Sequence, residues 1–129
     1  MSILRRLNGE LKDDKEVIKL AFRVQKDSLR YASKSLKKDK EFLKNQLGLD
    51  EKGIFRYCHY DIRRTKGIYI PALKKNPNLC KLFSSRLLLK LDFSSLPKKN
   101  KEVIYESYKK RTKEQDLFLL AKAKRHFLS

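Results

Sequence analysis

Cys58, His59 and Asp61 place a thiol, an imidazole and a carboxylate within four positions. Those groups are a nucleophile, a base and an orienter, the parts of a covalent site. Their closeness in sequence works against them, because adjacent side chains on a helix point about 100° apart. The only other cysteine is Cys80 and the only other histidine His126. Cys58, His59, Cys80 and His126 would make a tetrahedral metal set only by converging in space, and no ligand spacing calls for that. There is no glycine-rich phosphate loop and no paired-carboxylate motif. The expectation is a protein that is not an enzyme, with no catalytic residue, no metal site and no cofactor.

A different chemistry is written in the basic residues. Arg56, Tyr57, His59, Tyr60, Arg63, Arg64, Lys66, Tyr69, Lys74 and Lys75 interleave cations with aromatic rings. A second cluster joins Lys109, Lys110, Arg111 and Lys113 to Lys122, Lys124 and Arg125. Lysine and arginine neutralise phosphates, with affinity that falls as salt rises. Exposed rings stack on unpaired bases, which puts RNA ahead of duplex DNA. The predicted nucleic-acid-binding residues are therefore Arg56, Tyr60, Arg63, Arg64, Lys66, Lys74, Lys75, Lys109, Lys110, Arg111, Lys122, Lys124 and Arg125. The competing reading makes Tyr57 and Tyr69 core residues and the charges a solvated face. Cations near helix C-termini also suit the helix dipole without any ligand.

Net charge weighs between these readings. The chain carries 33 basic and 15 acidic residues in 129, a formal charge of +18. Solubility needs far less, so the excess predicts a polyanionic partner: nucleic acid, an acidic protein or an anionic membrane surface. The middle of the chain, residues 51–91, is the most one-sided, with 10 basic residues against 2 acidic. No helix is expected to combine a basic face with exposed large apolar residues, which disfavours the membrane surface. No apolar run is long enough to span a bilayer, and no signal peptide follows Arg5 and Arg6, so the expected location is intracellular and cytoplasmic.

The elements that must carry these side chains read as helices. A hydrophobic fraction of 40% with 37% charged residues suits a small helical protein, and four Gly with three Pro argue against many tight β-turns. Asp13 or Asp14 is placed to cap a helix bearing Val17, Ile18, Ala21 and Phe22 and ending near Gln25. Asp27 caps a second over Leu29 to Leu36. Asp39 caps a third, closed at Gly48 by a left-handed C-cap. Asp50 opens a fourth element, read as helix from Glu51 to Arg64, with a β-hairpin at 54–70 as the alternative. In the helical reading Thr65 to Ile70 is a loop closed by Pro71. Asn76-Pro77 starts a long buried helix to about Leu91. Asn100 caps the next helix. Thr112 to Gln115 forms a capping box for a last one ending near Leu128, with one long helix through Lys110 to Lys113 as the alternative. The fold class is thus all-α, a small helical repeat or bundle of about six short helices. It forms a single domain over 1–129: repeat-like helices 11–47, a basic middle segment 50–75 and C-terminal helices 76–128.

A recurrence underlies this reading. Lys12-Asp13-Asp14-Lys15-Glu16-Val17-Ile18 returns as Lys37-Lys38-Asp39-Lys40-Glu41-Phe42-Leu43, and again as Lys98-Lys99-Asn100-Lys101-Glu102-Val103-Ile104. Together with Ser28-Leu29-Arg30-Tyr31-Ala32-Ser33-Lys34-Ser35-Leu36, the stretch Leu11 to Leu43 resembles a helical repeat family, Domain of Unknown Function 4116. Phe83-Ser84-Ser85 is a weaker echo of its Tyr-Ala-Ser. The resemblance implies a tandem helical array of the kind often bacterial or viral, and it implies no catalytic residues. Short helices that cannot bury their stripes alone do so by stacking on the next pair. The functional expectation is a non-enzymatic module that binds nucleic acid, RNA or a ribonucleoprotein surface, by phosphate neutralisation without strong sequence preference. The alternative is a protein–protein interaction module, such as a bacterial effector or viral accessory protein, that meets an acidic partner.

Overall fold

Aspartates at three points halt the chain and restart it as helix. The Asp14 carboxylate accepts hydrogen bonds from the N–H groups of Glu16 (2.9 Å) and Val17 (3.3 Å), Asp39 from Phe42 (3.1 Å), and Asp50 from Gly53 (3.1 Å). Each satisfies N–H groups that the first turn of a helix leaves without partners. The computed structural model describes residues 9–112 and 116–128. Among them are ten α-helices and no strand. In order they are α1 (Gly9–Lys12), α2 (Lys15–Val24), α3 (Lys34–Lys37), α4 (Lys40–Gln46), α5 (Glu51–Tyr57), α6 (Tyr60–Arg63), α7 (Lys66–Lys75), α8 (Ser85–Leu88), α9 (Lys98–Arg111) and α10 (Leu117–Leu128). Two 3-10 turns, Ser28–Tyr31 and Pro77–Leu82, lie between them. The fold is all-α, and no described helix is long and apolar enough to cross a membrane. The chain divides into two compact units, Met1–Ile68 and Tyr69–Ser129.

In the first unit Ile18, Phe22, Leu29, Leu36, Leu43, Ile54, Phe55 and Ile62 are buried, with Phe22 meeting Phe42 edge-on at 6.4 Å between ring centres. Each such side chain contributes about 1.5–3 kcal/mol by leaving water. That burial is what holds helices as short as α3 and α6, which would not form alone. In the second unit an aromatic cluster fills the core. Phe93 lies 5.9 Å from Tyr69 and 5.7 Å from Phe127, and Tyr108 lies 5.6 Å from Phe127.

Several boundaries depart from the sequence reading. The expected helix Glu51–Arg64 breaks at Cys58-His59. There the His59 N–H pairs with the Lys37 carbonyl (2.9 Å), and its Nδ1 accepts from the Asp61 N–H (3.2 Å) to cap α6. The hairpin alternative at 54–70 is absent, since helices occupy that range. Thr65 to Ile70 is not a loop: α7 begins at Lys66 and runs through the exposed Pro71, whose missing N–H forfeits one helical bond. Asn76 and Pro77 do open an element, but it is the 3-10 turn, and Ser84 then restarts the chain by accepting from the Leu87 N–H (3.1 Å). Ser33 does the same for α3, accepting from Leu36 (3.3 Å), so Leu29 to Leu36 is a turn plus a helix. Asp27 makes no side-chain cap there. Gly48 is not left-handed; the non-glycine Asp27 is, at φ 62°. Asn100 lies inside α9, and its Nδ2 donates to the carbonyls of Leu73 and Lys74 (2.9 Å each). Two helices end the chain as expected, but Asp116 caps the second, accepting from Leu119 (3.1 Å). The remainder of the capping box, residues 113–115, lies outside the described residues.

Beneath these departures is a stricter repeat. The caps Ser33, His59 and Ser84 fall 26 and 25 residues apart, each opening a four-residue helix. The residue before each cap is buried: Ala32, Cys58, Phe83. So is the residue four before it: Leu29, Phe55, Cys80. Tyr31-Ala32-Ser33 thus corresponds to Tyr57-Cys58-His59 and to Leu82-Phe83-Ser84, one position earlier than the sequence echo placed it.

Candidate nucleic-acid interface

In the first unit two-residue connections, Ala32-Ser33 and Cys58-His59, stack the short helices. The Ser33 N–H donates to the Lys12 carbonyl and the His59 N–H to the Lys37 carbonyl, both at 2.9 Å. Lys12 ends α1 and Lys37 ends α3, so the cap of each short helix rests on the last residue of the one before. This brings Lys12 beside Lys34 and Lys37. Burial first, and then the charges of Lys12 and Lys34, hold the Lys37 ammonium below the usual lysine range. No described carboxylate forms an ion pair with these three lysines. They were missed in the sequence because their copy lies in a segment read only for its core. Aligning the caps at 25–26 residues would have found them.

The next layer, α6, carries the residues that sequence did nominate. Tyr60 is 61% exposed and its ring lies 4.4 Å from the His59 ring, tilted by 32°. Arg64 and Lys66 are exposed. Arg63 is engaged: its Nε donates to the Phe55 carbonyl (2.7 Å) and its Nη2 to the Arg56 carbonyl (3.3 Å), closing the end of α5. Arg56 faces Asp27 at 3.7 Å. Cys58 and His59 do not form a nucleophile–base pair. The thiol lies 3.9 Å from the Phe55 carbonyl, and burial raises its pKa.

In the second unit the nominated cations separate. Lys74 and Lys75 occupy the last turn of α7 and are exposed. Lys109 pairs with Glu106 (3.0 Å), which raises its pKa, and sits 5.0 Å from the centre of the Tyr105 ring. Arg111 is structural: it donates to the carbonyls of Phe83 (2.5 Å) and Cys80 (2.8 Å) at the end of the 3-10 turn. Arg111 and Lys110 also line an open groove of about 750 Å³ with Lys81 and Lys99, opposed by Glu102 and Glu106. Lys122, Lys124 and Arg125 are exposed on α10 and are not part of that groove. Among the described residues no cluster of three or more His, Cys, Asp or Glu could hold a metal ion.

Comparison with known proteins reaches only the N-terminal part. No curated protein and no solved structure matches the chain. The family model described as Domain of unknown function (DUF4116) matches residues 2–37 and again 14–50. Residues 2–50 thus carry the DUF4116 sequence pattern twice, in overlapping register.

Proposed function

We propose that the protein is a non-enzymatic module that binds single-stranded RNA or a ribonucleoprotein surface by neutralising phosphates. The observation that carries this reading is the lysine group on the stacked short helices. Lys12, Lys34 and Lys37 are close enough to interact and have no described acidic partner; burial first, and then the charges of Lys12 and Lys34, lowers the pKa of Lys37. A phosphate between them removes that repulsion. Tyr60, on the next layer and largely exposed, offers a face on which an unpaired base stacks. Arg64 adds a further cation on the same layer. The engaged guanidinium groups of Arg63 and Arg111 hold the scaffold rather than the ligand.

The test is fluorescence anisotropy with a single-stranded RNA oligonucleotide across a salt series. Affinity should fall steeply with salt. Replacing Lys12, Lys34 and Lys37 by Gln should flatten the slope of log affinity against log salt by about 2 for a single strand. Tyr60→Ala should weaken binding without changing the slope. A flat wild-type salt dependence rejects the reading.

A protein partner is the second reading, favoured by Leu20 and Val24, which stand 60% and 85% exposed one turn apart on α2. Recovery of one stoichiometric protein after nuclease treatment, lost in Leu20→Ser/Val24→Ser, would support it.

A further inference from the structure

His126 closes one wall of a small pocket in the second unit, of about 250 Å³. Its ring packs edge-on against Phe93 and Phe127, with centres 6.0 and 5.0 Å away. Its Nε2 is buried and has no hydrogen-bond partner among the described residues. A buried polar atom without a partner costs free energy unless something completes it. The pocket supplies a reason in its other walls. Lys90, Lys101 and Ser94 are among the residues that line it. Neither lysine is engaged in a described ion pair. Asp92 is the one carboxylate there, and its Oδ1 already accepts the Ser94 N–H at 2.9 Å. The loop bearing Asp92 is pinned from behind, since the Tyr69 hydroxyl donates to the Asp92 carbonyl (3.0 Å) and accepts from its N–H (3.1 Å).

We propose that this pocket binds a phosphate monoester group, held by Lys90, Lys101, Ser94 and the His126 Nε2–H. A neutral imidazole carries its proton on either nitrogen, so Nε2 donates once the ring turns to face an oxyanion. Two lysines, a hydroxyl and an imidazole N–H match the acceptor-only oxygens of a phosphate dianion. The volume admits a phosphoryl group. The binding is confined to the second unit and stands whether or not the lysines of the first unit bind RNA. Its source is either a free small phosphate or the terminal phosphate of a nucleic acid.

NMR titration of the full chain with inorganic phosphate tests it. The His126 ring resonances and the Ser94 amide should shift together and saturate. Lys90→Ala and Lys101→Ala should each weaken the fitted affinity about tenfold, the loss of one charge-assisted bond. Asp92→Asn should tighten it, a change in sign that a general loss of structure would not give. His126→Phe, which keeps the aromatic packing, should abolish the Ser94 shift while the amide spectrum stays folded. Absence of a saturable His126 shift, or unchanged affinity in both lysine variants, overturns the proposal. Competition then sorts the source. Displacement of inorganic phosphate by a 5′-phosphorylated oligonucleotide but not its 5′-hydroxyl twin supports a terminal phosphate. Failure of both to compete supports a free one.

Discussion

Asp50 shows how much one side chain settles. It is 5% exposed, and both carboxylate oxygens are used. Oδ1 caps α5 through Gly53, and Oδ2 accepts the Asp27 N–H at 2.7 Å. That second bond helps to hold Asp27 at its left-handed φ. Asp50 therefore ties the end of one repeat to the start of the next. Gly53 is required beside it, because a Cβ there would strike the Asp50 carboxylate. Asp50→Ala leaves two N–H groups without partners and should cost about 3 kcal/mol in urea unfolding. Asp50→Asn, which keeps one acceptor oxygen, should cost clearly less. Equal losses would mean that the oxygens are not the reason. Thiol chemistry follows the same local logic: burial pushes both Cys58 and Cys80 above their ordinary pKa, which leaves them poor nucleophiles.

At the scale of elements, the stop-and-restart rhythm depends on N-caps. Asp39 opens α4, and the Phe42 N–H is the main reason that its carboxyl titrates below the usual range, with Lys15 at 3.0 Å second. A carboxylate with a depressed folded pKa adds stability that is complete above its unfolded value and is lost as pH falls through the folded value. Asp39→Ala should therefore cost about 1 kcal/mol at neutral pH. The difference between wild type and variant should vanish in acid, measured by denaturation at a series of pH values. A difference that persists at the lowest pH would show that the carboxylate charge is not what the cap supplies. The Lys15 pair adds little of this, being solvent-exposed.

For the whole molecule, charge is the dominant fact. A net +18 on 129 residues, with one described carboxylate lining the pocket of His126 and none paired to the first unit's lysine group, is what the proposed binding of nucleic acid rests on. The protein purified at low salt should carry nucleic acid, seen as a raised ratio of ultraviolet absorbance at the nucleic-acid maximum to that at the protein maximum. The excess should be released by high salt. A protein-like ratio at low salt would count against nucleic acid and favour the partner that Leu20 and Val24 suggest.

The amino-acid order alone determined the helical class, helix caps at Asp13 or Asp14, at Asp39 and at Asp50, the likeness of residues 11–43 to a repeat family, and the large positive net charge. Those are local properties: a side-chain oxygen two or three residues from an N–H, apolar residues at helical spacing, and summed charge. Only the tertiary structure decided that His59 and Ser84 are the same cap as Ser33. A histidine and two serines look unlike until backbone bonds such as Ser33 to Lys12 and His59 to Lys37 stack the turns. It likewise divided the cations: the nominated Arg63 and Arg111 are drawn to carbonyls 7 to 31 residues away in the chain, while Lys12, Lys34 and Lys37, not nominated, are left without a described ion pair. Which donor meets which carbonyl across such distances depends on how the turns pack, and no spacing along the chain encodes it.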